Sequence, residues 1–109
     1  MKKQGFPKTV PNWIDGKECP GSTGETFLKL SPCNGKPLCD VVRSREADVQ
    51  TAVQASRRAQ TSWAALTPVQ RGDVLYDITQ ALEKHKQEMA SIVSQETGMS
   101  FKAATEPCG

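Results

Sequence analysis

The chain has a single histidine, His85, and its four cysteines are widely spaced, the nearest two being Cys33 and Cys39. The close Cys-x₂₋₄-Cys pairs that zinc sites favour are therefore missing. No metal ligand is assigned, and Cys19, Cys33, Cys39 and Cys108 read as small, partly buried thiols. No apolar run approaches the ~18 residues of a membrane span. Lys2, Lys3 and Lys8 make the start mildly basic, but no hydrophobic stretch follows them, so it does not read as a secretory signal. The net charge of +2 is too small to argue for binding to nucleic acid or a membrane. Internal repeats and low-complexity tracts are also absent. The expectation is a cytoplasmic chain with reduced thiols.

What the chain does contain is ordinary for a soluble protein: 109 residues, 37% hydrophobic and 24% charged. That length fits one domain or part of a larger one. The dominant stretch is Ser44 to Gly98. Val49, Ala52, Val53, Ala59, Trp63 and Leu66, with Ser56 between them, recur in steps of three and four. They build one stripe of a helix whose other face carries Gln50, Gln54, Arg57 and Arg58. Ser44 is the expected N-cap, with Glu46 and Asp48 near the positive end of the helix dipole. Ala47 holds the position that a reciprocal capping box would need, so no box is expected.

A second helix begins more sharply. Thr67 caps it, Pro68 takes its first position and Gln70 can return a hydrogen bond to the cap. Val74, Leu75, Ile78, Ala81 and Leu82 form its apolar face, and the stripe continues through His85, Met89, Ile92 and Val93. The span is long for one globular helix, which predicts two helices joined near His85 and Lys86. Gly98 falls where a left-handed C-cap belongs. Ser100 can cap one further helix through Phe101, Ala103 and Ala104, stopped by Pro107.

The segment before Ser44 reads as strands. Residues 1–11 are an expected loose lead-in, in which Pro7 and Pro11 prevent regular pairing. Asp15-Gly16 is a hairpin signal, because a type I′ turn needs positive φ at both centres. Residues 19–24 form a loop. Residues 25–30 and 38–42 are two strands joined by the Pro32 and Asn34-Gly35 turn, with Leu28 and Leu30 on one face and Phe27 and Lys29 on the other. The fold class is α+β: a short hairpin and strands, then three to four amphipathic helices.

No catalytic constellation follows from residue types and spacing. Gly21 to Thr26 has the look of a phosphate cradle, but such a loop must follow a strand and open a helix. Here it precedes a strand, so it reads as a flexible surface turn. Cys108 has no evident base or helix terminus to activate it. His85 reads as a helix-end histidine satisfying a carbonyl. Trp13 and Trp63 read as core. Glu88 and Glu96 share one helix face with nothing converging on them.

The order of these features resembles the N-terminal part of the NAD(P)-dependent aldehyde dehydrogenase superfamily. Trp13-Ile14-Asp15-Gly16 match its short F/W-I-x-G strand. Pro32 and Gly35 match its N-P-x-x-G turn, with Ser31 in place of Asn. Asp48, Val49, Ala52, Val53, Ala55, Arg57, Ala59 and Trp63 match its first helix, and Arg71 and Leu75 its second. Glu96, Thr97 and Gly98 match its E-x-G-K ending, with Met99 in place of Lys. The resemblance implies an α+β start of a cofactor domain, packed against the nucleotide-binding fold. It implies oxidation of an aldehyde to an acid with NAD or NADP, through a cysteine thiohemiacetal, hydride transfer and hydrolysis of the acyl-enzyme. The family's catalytic cysteine and cofactor loop lie beyond the matched stretch. Catalytic and cofactor-binding residues of this chain are therefore none, and no cofactor is expected on the chain alone.

The resemblance further implies three segments: residues 1–11, a family-like but incomplete domain over 12–104, and a divergent tail over 105–109. The tail reads as the end of a truncated, alternatively spliced or frameshifted product, or of a fragment. The expected partner is the remainder of an aldehyde dehydrogenase fold or a full-length homologue. The alternative is a helical interaction module that docks on such a relative or on another protein.

Overall fold

A computed structural model describes residues 6–105. Of the residues named above, Lys2, Lys3, Pro107 and Cys108, with most of the expected tail over 105–109, lie outside the described residues. The element order is β1 (Thr9–Val10), β2 (Asn12–Ile14), β3 (Lys17–Cys19), β4 (Thr26–Leu30), β5 (Pro37–Val42), α1 (Glu46–Ala65), α2 (Pro68–Lys84), α3 (Lys86–Thr97) and α4 (Phe101–Thr105). Strands precede helices, as an α+β fold requires. Among the described residues no helix is long and apolar enough to cross a membrane.

β2 and β3 pair antiparallel, with Trp13 opposite Glu18. Asp15 at φ 56° and Gly16 at φ 75° form the turn with positive φ at both centres, as the Asp-Gly pair demands. β4 and β5 form the second hairpin, with Phe27 opposite Val41 and an irregularity between Lys29 and Leu30. Its turn is closed by Gly35 N–H donating to the Ser31 carbonyl at 2.8 Å and by Asn34 Oδ1 accepting from Lys36 N–H at 2.9 Å.

The expectation that Pro7 and Pro11 prevent pairing is corrected by β1. Thr9 and Val10 pair parallel with Asp40 and Val41, and Asp40 N–H donates to the Lys8 carbonyl at 3.0 Å. Two prolines are compatible with this because β1 is an edge strand in the order β1-β5-β4 and neither proline lies within it. A missing N–H at a flank of an edge costs the sheet no ladder bond.

The helix boundaries follow their local chemistry. Thr67 Oγ1 accepts from Gln70 N–H at 3.2 Å, and Gln70 Oε1 accepts from Thr67 N–H at 2.9 Å. α2 and α3 meet at His85, whose φ of −102° and ψ of 13° break the helix. Gly98 ends α3 in the left-handed region at φ 76°, with its N–H on the Ser94 carbonyl at 3.0 Å. Ser100 Oγ accepts from Ala103 N–H at 3.2 Å and starts α4.

The N-cap of α1 is Arg45, not Ser44. Counting from Arg45 puts Asp48 at the third helical position, and its carboxylate accepts from Arg45 N–H at 2.8 Å. The guanidinium of Arg45 offers no acceptor, so half of a capping box forms where none was expected. Ser44 instead donates to Asn12 Oδ1 at 2.8 Å, tying the hairpin to the helix entry.

The core is small. Cys39, Val42, Ala55 and Ala90 are the buried apolar residues among those described. α2 buries none of its side chains. Trp13 and Trp63, read as core, are both exposed. Among the described residues no second layer covers the surfaces on which they lie.

Candidate functional site

Asp48 is the one buried charged side chain among the described residues. It sits in the first turn of α1, where the helix dipole favours a carboxylate. One oxygen accepts from Ser22 N–H at 2.8 Å, and the other accepts from Ser22 Oγ at 3.1 Å and from Arg45 N–H at 2.8 Å. The Arg45 amide bond holds its carboxyl below the usual range, burial opposes this, and the two Ser22 bonds add to the lowering. This carboxylate fastens the turn of residues 21–24 to the helix. Gly24 N–H closes the turn on the Gly21 carbonyl at 3.0 Å.

The Gly21–Thr26 loop is consequently pinned rather than a flexible surface turn. The Ser22 amide, which a phosphate cradle would need, is occupied by Asp48. Gly21 is buried, and a Cβ there would lie 3.1 Å from both the Arg43 carbonyl oxygen and Val42 Cγ1. Spacing hid this contact, because Ser22 and Asp48 are 26 residues apart in sequence. The available signal was an Asp at the third helical position facing a Gly-Ser turn.

The other candidates do not converge. Cys19 is part-buried, Cys33 exposed and Cys39 buried, and all three are free thiols. Burial, Glu96 and Asp40 push the Cys39 thiol up, with Lys29 opposing, which is the wrong direction for a nucleophile. His85 Nδ1 lies 3.1 Å from Glu88 Oε2 on an exposed surface. The imidazole meets a carboxylate rather than the expected carbonyl, and the helix-end carbonyl of Ala81 accepts instead from the His85 backbone N–H at 3.1 Å. No group of three or more His, Cys, Asp or Glu able to hold a metal occurs among the described residues.

What the helices do present is unpartnered apolar surface. Val49, Val53 and Trp63 on α1, and Val74, Leu75, Ile78 and Leu82 on α2, are all exposed. An open groove of about 620 Å³ runs along α1 between Ala52, Val53, Ser56, Arg57, Ala59, Gln60 and Trp63. A smaller one of about 300 Å³ separates the α1 alanines from the Trp13–Gly16 hairpin. The arrangement suits burial against another layer, not chemistry.

Comparison with known proteins points the same way. Residues 19–108 match the aldehyde dehydrogenase family profile. The chain is 32% identical over 97 residues to malonate-semialdehyde dehydrogenase 2 of Shouchella clausii, covering 89% of this chain and 20% of that protein. It is 38% identical over 93 residues to an aldehyde dehydrogenase of Aspergillus niger, covering 84% of this chain and 19% of that one. It superposes with a TM-score of 0.85, at 29% identity, on the structure of a Sinorhizobium meliloti 1021 protein assigned as a methylmalonate-semialdehyde dehydrogenase and complexed with NAD. That match covers 94% of this chain and 21% of the solved one. The chain thus spans about one fifth of the length of the relatives it matches.

Proposed function

The chain belongs to the aldehyde dehydrogenase family, as its N-terminal segment, and from that premise we propose that its role is to supply one packed layer of an aldehyde dehydrogenase fold. Oxidation of an aldehyde to an acid, with NAD or NADP accepting the hydride, belongs on this reading to the assembled fold. The observation that carries it is the exposed apolar face of α2, a helix with no buried side chain of its own. Such a face is stable in water only when another element covers it.

On this reading the Gly21–Thr26 loop is a structural tie rather than a phosphate cradle. The Ser22 amide is taken by Asp48, and no step of the reaction is routed through this chain. Its own residues bind and orient structure: Asp48 locks the turn to α1, and Thr67 and Gly98 set where the helices begin and end. The family-like portion is residues 12–104, and the three free thiols fit a cytoplasmic location.

The test is turnover. The purified chain, given an aldehyde panel and NAD or NADP, forms no reduced cofactor. Mixed with a fragment carrying the remaining four fifths or so of a relative, it restores oxidation in proportion to the complex formed. Turnover by the chain alone overturns the proposal. The exposed Leu75, Ile78 and Leu82 also favour a second reading, an interaction module that docks on an intact full-length relative. Co-sedimentation with that intact relative, without complementation of the fragment, selects it.

A further inference from the structure

β4 is an outer strand of the three-stranded sheet, and its outward edge has no strand partner among the described residues. An edge of this kind is ordinarily blunted by a proline, a bulge or an inward-pointing charge. Residues 26–29 hold no proline and no bulge, the irregularity coming only between Lys29 and Leu30; the one charge among them, half-buried Lys29, has an opposite charge on its own face in Glu25. Phe27 and Leu28 are 40% and 53% exposed.

The phase of the open edge is set by its closed one. Arg43 N–H donates to the Glu25 carbonyl at 2.9 Å, so Glu25, Phe27 and Lys29 direct their backbone groups toward β5. Alternation then directs those of Thr26 and Leu28 outward. The side chains of Glu25, Phe27 and Lys29 share one face. An acid, an aromatic and a base at steps of two make a strand that complements its own reverse.

We propose that β4 pairs antiparallel with β4 of a second copy of this chain, about a two-fold axis at Phe27. In this register Thr26 stands opposite the partner's Leu28, so the outward amides and carbonyls of both residues are satisfied. Phe27 stands opposite the partner's Phe27 at a position without ladder bonds, where cross-strand side chains come closest. Glu25 faces the partner's Lys29, and Lys29 faces the partner's Glu25. Arg45 already holds Glu25 Oε2 at 2.6 Å, which leaves the other carboxylate oxygen for the lysine. Arg43 covers one face of the Phe27 ring, 4.8 Å from its centroid. An axis at Leu28 satisfies the backbone too, but it sets Phe27 against Lys29 and runs into the irregular Leu30. The interface is isologous, as a two-fold contact must be, and it uses the sheet edge and leaves the helix faces free.

Sedimentation equilibrium of the 109-residue chain tests this. The wild type shows a monomer–dimer equilibrium. Lys29→Glu puts like charges opposite each other at both ends and weakens the dimer roughly tenfold or more, and Glu25→Lys does the same. The triple variant, Glu25→Lys with Lys29→Glu and Arg45→Glu, reverses the Arg45–Glu25 pair together with the cross-strand pairs and restores association to within about threefold of wild type, which a merely structural role for Glu25 or Lys29 does not predict. A wild type that stays monomeric, a dimer indifferent to Lys29→Glu, or a folded triple variant without rescue each overturns the proposal. Should the variants fail to fold by circular dichroism, amide exchange of the wild type decides. Thr26 and Leu28 amides gain protection with rising concentration while Phe27 and Lys29 are protected throughout; concentration-independent exchange at Thr26 and Leu28 overturns the pairing.

Discussion

Asp48 and Gly21 show how much of this fold rests on single groups. Asp48 joins three donors from two segments, and its lowered folded-state pKa ties stability to pH. A group with a depressed folded pKa stabilises the fold fully above its unfolded pKa, about 3.9 for Asp. That contribution is lost as pH falls through the lower folded value. Denaturant unfolding at a series of pH values below about 4 is expected to show falling stability, and Asp48→Asn to flatten that fall. Asp48→Asn is also less stable than wild type at neutral pH, because a neutral amide is a weaker acceptor than a carboxylate. Equal pH dependence in the two proteins contradicts this account. Gly21 makes a different prediction. Its added Cβ would press on the Arg43 carbonyl as well as on Val42, and Arg43 is held at the end of β5 by its own N–H on the Glu25 carbonyl. Gly21→Ala is expected to cost about 1–3 kcal/mol by chemical denaturation. The matched change at Gly72, where nothing lies within 4 Å, is expected to be neutral or stabilising, by up to ~1 kcal/mol.

At the scale of elements, what the sequence makes legible is what neighbours within four residues decide. The Asp15-Gly16 turn, the Thr67–Gln70 box, the junction at His85 and the Gly98 cap all follow from local geometry. The parallel contact of Thr9 and Val10 with β5 is different, because no local signal specifies a partner strand so far along the chain. The cap at Arg45 escaped for a related reason. Its quality lies in Asp48, which is also engaged by Ser22, while a residue-type rule favours the adjacent serine. α2 offers the clearest element-scale prediction. With no buried side chain, it depends on its cap and on its own hydrogen bonds, and isolated helices near this length are marginal. Amide exchange in α2 is expected to be faster than in β4 and β5 of the chain alone. Thr67→Ala is expected to weaken the helix by about 1 kcal/mol, visible as faster exchange in its first turns with the β4–β5 hairpin unaffected. A uniform rise in exchange across the chain would mean that α2 folds as one unit with the sheet.

The whole molecule has more surface than its size allows for a self-sufficient domain. It exposes 8628 Å², where a compact monomer of this mass exposes about 5,900 Å². Its radius of gyration is 17.1 Å, against about 13 Å for a compact chain of this length. The excess of roughly 2,700 Å² is on the scale of a large obligate interface, which fits a chain spanning one fifth of its relatives. This inverts the usual reading of a core leucine. Leu75 matches a family leucine and lies on the apolar stripe, yet it is 57% exposed. In the chain alone, Leu75→Ala removes little buried area and is expected to change stability by less than about 0.5 kcal/mol. On the proposed reading the same side chain is covered in the assembled fold, and its removal is expected to weaken association by about 2–5 kcal/mol, the usual cost of a buried Leu→Ala change. Titrating the complementary fragment with wild-type and Leu75→Ala chains separates the two states, because only the covered one responds. A large loss of stability in the chain alone would mean that α2 already has its partner. An unchanged affinity would mean that its stripe faces solvent in the assembled fold as well.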